Sequence, residues 1–144
     1  MRARPVEAEH GRRPAPGPDE ELLASPRFRA VFDLLNEGAA LFDADDRFLV
    51  WNRRYGQLYG LSGPALRAGA SFQLFLEHGL EVGQYLDARG RKAEWLRERL
   101  DPAADAGFRE HLPGDRWVRV KHHRLAEGGS LRVVTDTTGC TPEW

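Results

Sequence analysis

Two periods of hydrophobicity run along this chain, and the points where one gives way to the other mark its elements. Phe28, Val31, Phe32 and Leu35 recur at i, i+3, i+4 and i+7, the spacing of one helix face. Ser25-Pro26 stands just ahead of them, a capping hydroxyl followed by a proline at the first helical position. An amphipathic helix is therefore expected within residues 19–37, closed by Asn36-Glu37-Gly38. Residues 39–43 and 47–51 are short apolar runs around Ala44-Asp45-Asp46. Aspartates bond their own backbone and tolerate turn geometry, so these runs read as a β-hairpin. Trp51, Tyr55, Leu58 and Tyr59 return to helical spacing, with Asn52 placed to cap the start and Gly60 to close the end in the left-handed region.

The segment "LSGPALRAG" leaves room for one short turn before Ser71 caps a further helix carrying Phe72, Phe75, Leu76 and Leu80 on one side. "RKAEWLRERL" predicts a third helix with Ala93, Leu96 and Leu100 as a narrow seam, stopped by Asp101-Pro102. The last third alternates strictly. "GFREHL", "RWVRVKHHRL" and "SLRVVTDTT" are joined through Pro113-Gly114-Asp115 and Glu127-Gly128-Gly129, which predicts an antiparallel meander. The order of elements points to an α+β domain, a five-stranded antiparallel sheet with helices packed across one face and an N-terminal helix ahead of it.

Composition narrows the function classes. At 144 residues with 41% hydrophobic and 30% charged positions, the chain is sized for one folded domain that needs no covalent staples. Residues 1–18 hold little to bury and are expected to be a disordered tail. A single cysteine, Cys140, rules out an intrachain disulfide and any multi-cysteine metal site. Such usage suits the cytoplasm. A net charge of −1 supplies no general attraction to nucleic acid, and no apolar run approaches a membrane span.

The ordered set "FDADDRFLVWN", Tyr55, Leu58 and Gly60, Arg89-Gly90, the helix with Trp95, "PGDRWVRV" and the closing "TDTT" resembles a PAS domain. The likeness is to the branch found in bacterial sensor histidine kinases and diguanylate cyclase-type proteins. It covers about residues 25–138, and it places the domain at 38–138 with a short tail at 139–144. One departure is visible: the family's closing Asp-Ile/Val-Thr reads Asp136-Thr137-Thr138 here. The resemblance implies a chamber, floored by the hairpin and walled by the helices of residues 53–83, that either holds a ligand or is simply a core. Its candidate lining is Trp51, Tyr55, Tyr59, Phe72, Phe75 and Leu76. These aromatics suit stacking on a noncovalent flavin, but such stripes more often fill volume. No cysteine lies beside them for a covalent adduct. His78 falls where some haem-binding PAS proteins carry their proximal ligand, yet a lone histidine is more often a surface residue.

Other clusters carry less. His122 and His123 are adjacent on a strand, so they face opposite ways and cannot chelate one ion. Arg116, Arg119, Lys121 and Arg124 crowd the same strand without the recurring aromatics that stack bases, so a solvated or dimer-contacting face is expected and nucleic acid is not. Asp45 and Asp46 are expected only to shape the turn. No phosphate loop, nucleophile elbow or zinc signature occurs, and no enzyme is expected.

The resemblance implies a sensory or interaction module of signal transduction, of the kind used in two-component systems. In it a small ligand, a redox state or a partner shifts sheet and helices, and the change leaves through Asp136, Thr137 and Thr138. Only "GCTPEW" follows Thr138, so this chain is expected to act without its own output domain. It would work by contact with a partner signalling protein or as a homodimer, with the helix from Pro26 to Leu35 as the pairing element. The competing class is a small cone-shaped α+β enzyme, isomerase- or dehydratase-like. The two are told apart by whether the strands within 39–51 are central, adjacent and antiparallel.

Overall fold

The computed structural model describes residues 18–101 and 107–139. Of the tail predicted over residues 1–18 all but Pro18 lies outside these residues, as do Pro102, Cys140 and most of the expected C-terminal tail. The chain divides at Val31 into a leading unit and a larger one that begins at Phe32, ahead of the expected start at Gly38.

Residues 18–37 hold two helices, α1 (Pro18–Ala24) and α2 (Pro26–Asp33), the second starting behind the expected Ser25 cap. They are separated at Ser25, where Pro26 can donate no helical hydrogen bond and the Ser25 hydroxyl instead accepts from the Phe28 amide at 3.3 Å. The helix ends before Leu35, and of the predicted apolar face Phe32 is buried while Val31 and Leu35 are exposed.

From Phe32 on, the predicted succession appears with small shifts in its bounds. The strands are β1 (Gly38–Phe42), β2 (Phe48–Trp51), β3 (Phe108–Leu112), β4 (Arg116–Arg124) and β5 (Ser130–Asp136). Between β2 and β3 run α3 (Arg53–Leu58), α4 (Phe72–Val82) and α5 (Lys92–Leu100), with 3-10 turns at Gly60–Ala65 and Leu86–Ala88. All five strands form one sheet in the order β2-β1-β5-β4-β3, every neighbour antiparallel. The early hairpin therefore joins the late meander through β1 and β5, with Gly38 opposite Val134 and Phe42 opposite Ser130. Its two strands are adjacent and antiparallel as expected, but only β1 is central, and β2 lies at the edge of the sheet.

One face of the sheet carries the core. Ala40, Phe42, Phe48, Leu112, Val118, Val120 and Val134 are buried, and Tyr55, Leu58, Phe75, Leu76, Tyr85 and Trp95 close over them. Each such large side chain contributes about 1.5–3 kcal/mol by leaving water. Alternation explains the selection, since every second residue of a strand points to the same side.

Three local expectations are corrected. Trp51 does not lie on the helix face but ends β2, paired with Ala40, while the helix starts after its expected cap Asn52. Gly60 opens a 3-10 turn, and the C-cap of α3 is Tyr59 at φ −111°, so no left-handed residue ends that helix. In α5 the buried residue is Trp95, with Leu96 and Leu100 partly buried beside it and Ala93 exposed; the largest apolar surface, not the regular seam, turned inward.

Candidate functional site

The space enclosed between sheet and helices is polar at one end and aromatic at the other. Phe42, Phe48, Phe72 and Phe75 form the aromatic end, with ring centroids 4.5 Å apart for Phe42–Phe48 and 5.0 Å for Phe48–Phe75. Tyr55 and Tyr59, brought in by α3, lie 4.9 Å from one another and 6.2 and 5.9 Å from Phe75. The cavity left among these groups measures about 10 Å³, close to one water molecule. Of the expected lining, Tyr55, Tyr59, Phe72, Phe75 and Leu76 border it; Trp51 packs against Phe48 instead. A flavin or a haem needs a pocket of several hundred Å³, so neither fits this arrangement. His78 does not border the cavity, which leaves the proximal-ligand role without geometric support.

The polar end is a buried charge network. Glu110 accepts from the Tyr59 hydroxyl at 2.8 Å and from Arg99 Nε at 3.2 Å. Arg99 also donates from Nη2 to Asp87 Oδ2 at 3.0 Å, and the Trp95 indole donates to the same oxygen at 2.8 Å. The other oxygen of Asp87 takes the His111 amide at 3.1 Å. With the Glu110 and Arg99 side chains 4% and 7% exposed, this is an interior pair, whose desolvation is offset only by such dense bonding. The Arg99 guanidinium also lies over Trp95 and Phe108, 4.4 and 4.0 Å from their ring centres, which adds cation–π attraction.

Burial raises the Glu110 carboxyl above the usual range, against the Arg99 charge and the Tyr59 hydrogen bond that pull it down. Burial likewise pushes Tyr55, Tyr59 and Tyr85 up, Tyr59 and Tyr85 with the Glu110 charge as the next cause. All three remain neutral hydroxyls. Tyr85 packs tilted against Trp95 with ring centroids 4.3 Å apart, and its own hydroxyl is buried with no hydrogen-bond partner among the described residues.

Arg132 completes the lining from β5. Its guanidinium stacks on Phe72 at 3.8 Å and donates from Nη1 to Asp46 Oδ1 at 3.2 Å. Asp46 thus does more than shape the turn: it sits at φ 61° and also anchors a buried cation. Arg132 and Phe108 border both the small cavity and an open groove of about 260 Å³.

At the end of β5, Asp136 Oδ2 lies 3.2 Å from Arg54 and 3.8 Å from Arg116, and its Oδ1 accepts the Thr138 amide at 2.8 Å. Burial acts to raise the Asp136 carboxyl, but the Thr138 hydrogen bonds and the two arginines outweigh it and hold it low. Thr137 donates its amide to Trp117 O at 2.8 Å, and the Thr138 hydroxyl accepts from the Trp117 amide at 3.0 Å. Position 137 therefore serves the end of the strand through its backbone amide and its hydroxyl, both on Trp117 O.

His122 is half-buried and His123 exposed on opposite faces of β4. Among the described residues no three His, Cys, Asp or Glu side chains gather as a metal site would require. Of the four β4 cations, Arg116 meets Asp136, while Arg119 and Lys121 share the sheet face of Trp117 and His123. The network of Asp87, Arg99 and Glu110, with Tyr85 and Arg132, escaped the reading of the sequence. One signal was present: in "FREHL" the glutamate shares the inward face with Phe108 and Leu112, a carboxylate on an apolar stripe.

Residues 32–141 match the profile of the PAS fold family. A non-motile and phage-resistance protein of Caulobacter vibrioides is 28% identical over 118 residues, which is 80% of this chain; the chain spans 12% of that relative's length. Among solved structures, the PAS domain of a LuxR-family transcriptional regulator from Burkholderia thailandensis, in complex with ethanol, aligns at 17% identity. That alignment covers 78% of this chain and 98% of that one with a TM-score of 0.48. A domain of a sensor histidine kinase/response regulator from Geobacter sulfurreducens aligns at 20% identity over 76% and 91%, TM-score 0.42.

Proposed function

The chain belongs to the PAS fold family, and on that premise we propose that it is a sensor of signal transduction that reads the state of its interior and answers through contact with a second protein. The family is a sensory one in general; the partner, whether a signalling protein or a second copy of this chain, is the finer part of the proposal. One observation carries it. Helix α3 and its C-cap present Tyr55 and Tyr59 to the cavity, and the same helix holds Arg54 on Asp136 at the end of β5. A change in what the cavity holds therefore acts on the last strand through a single short rigid element, which is how a two-state module couples an input to an exit. Among the described residues no helix is long and apolar enough to cross a membrane, and the proposed setting is the cytoplasm. No catalytic step is assigned to the chain.

The test is sedimentation over a range of concentrations, with native mass spectrometry and an absorption spectrum on protein purified from cells. The expected result is a dimer, a defined partner complex, or mass beyond that of the chain. A strictly monomeric chain of bare mass, which cross-links to no signalling protein in its own cells, overturns the reading.

A further inference from the structure

Three charges meet in the interior and do not cancel. Arg99 reaches Asp87 at 3.0 Å and Glu110 at 3.2 Å, so one guanidinium serves two carboxylates. Arg132, the other cation near Glu110, is matched by Asp46. The tyrosines that face Glu110 are Tyr55 and Tyr59 from α3 and its C-cap, and Tyr85 ahead of the Leu86–Ala88 turn; all three are neutral. With both carboxylates ionised the cluster therefore holds one negative charge in excess, which is costly away from water. A single proton removes it.

The bonding decides which carboxylate takes that proton. Asp87 has three donors, Arg99 and the Trp95 indole on one oxygen and the His111 amide on the other, and none of them can accept a hydrogen bond. Its side chain is also 23% exposed and so keeps part of its hydration. Glu110 is 4% exposed, with Arg99 Nε on one oxygen and the Tyr59 hydroxyl on the other. A hydroxyl both donates and accepts, so Tyr59 can receive a hydrogen bond from a protonated Glu110. The Tyr59 hydrogen is then free to turn, and the Tyr85 hydroxyl, buried beside the same space with no partner among the described residues, is open to accept it.

We infer that Glu110 is a proton-operated switch: one proton taken from solvent onto Oε1 neutralises the cluster, reverses the Glu110–Tyr59 hydrogen bond and leaves the Arg99 charge to Asp87. This rests on the sensory reading above and names its input. Tyr59 is the C-cap of α3, and Arg54 near the other end of that helix holds Asp136. The reversal thus acts on one end of a short rigid element whose opposite end grips the last strand.

The experiment is an NMR titration of the whole chain from about pH 4.5 to 8. It follows the Arg99 Nε–H, which bonds Glu110, the Arg54 guanidinium on Asp136, and the Thr138 amide on the same carboxylate. Expected is one common step in all three. Asp136 is held below its ordinary range, so the step at Thr138 does not arise there. Glu110→Gln should abolish the step. Tyr59→Phe removes a donor to the charged form and should move it to higher pH, a test that keeps the carboxylate in place. His111→Gln retains the amide on Asp87 and removes the imidazole paired with Asp115, so the step should remain. No step at Arg99, a step confined to Arg99, one that survives Glu110→Gln or disappears in His111→Gln, or an unmoved midpoint in Tyr59→Phe overturns the inference. Sedimentation at the two ends of the range separates the two readings: a dimer or partner complex unaffected by pH leaves the sensory reading standing and removes the proton as its input.

Discussion

The side-chain oxygen of Asn52 lies 3.0 Å from the amide nitrogen of Ala39, so the residue that starts α3 also pins the first strand of the sheet. The same oxygen accepts the Tyr55 amide at 3.0 Å, and the side-chain nitrogen donates to Phe32 O at 3.1 Å and Glu37 O at 2.9 Å. One fully buried amide thereby ties the helix α3, the strand β1 and the segment leading into it.

Asn52→Ala is expected to cost more than a helix cap. The cap alone is about 0.5–2 kcal/mol, and each buried group left unpaired adds about 1–3 kcal/mol. A loss above about 2 kcal/mol in urea denaturation is expected. Asn52→Asp keeps the acceptor for Tyr55 but turns an oxygen toward two carbonyls, so it should recover only part of that loss. A cost within the range of a simple cap would show that the bonds to Phe32 and Glu37 carry little.

Arg99→Met leaves the buried Glu110 and the half-buried Asp87 without their shared cation, and removal of one partner from an interior pair typically costs about 3–5 kcal/mol. Adding Glu110→Gln should restore a measurable part of that loss, because it removes one of the stranded charges. A double variant as unstable as the sum of the two single ones would show no coupling between the residues.

Glu110 gives the chain a pH dependence of known sign. Its folded-state value is raised above the ordinary 4.5, so the stability tied to its protonated form is full below about 4.5 and is lost as the pH rises through the folded value. Relative to Glu110→Gln, the parent protein should therefore lose stability as the pH rises from 4.5 toward neutrality. Denaturation midpoints of the two proteins across that range are the measurement, and parallel curves would place the Glu110 ionisation elsewhere.

Two glycines in helices should respond in opposite directions. A Cβ on Gly79 of α4 would stand 2.5 Å from Tyr85 Cε2 and 3.0 Å from Ser62 Oγ. Gly79→Ala is thus expected to cost about 1–3 kcal/mol by overpacking, despite a helix-propensity gain of about 1 kcal/mol. Gly56 of α3 meets nothing within 4 Å, so Gly56→Ala should keep that gain and raise the melting temperature. Both are read by thermal unfolding.

What the sequence determined by itself is whatever depends on near neighbours. Alternation in "RWVRVKHHRL" chose which residues of β4 point inward, Ser71 capped α4 at Leu74, and Asn52 was legible as a cap from its place before Tyr55. Ordered motifs carried the family as well. The tertiary structure decided what depends on groups far apart in the chain. It turned Trp95 inward in place of Ala93, and made Asn52 a four-way tie to Phe32, Glu37 and Ala39 as well as Tyr55. It also assembled Tyr59, Asp87, Arg99 and Glu110 from α3, a 3-10 turn, α5 and β3. No periodicity records such meetings, because a polar side chain is tolerable inside only when partners distant in the chain arrive with it, and the sheet order β2-β1-β5-β4-β3 is what brings them.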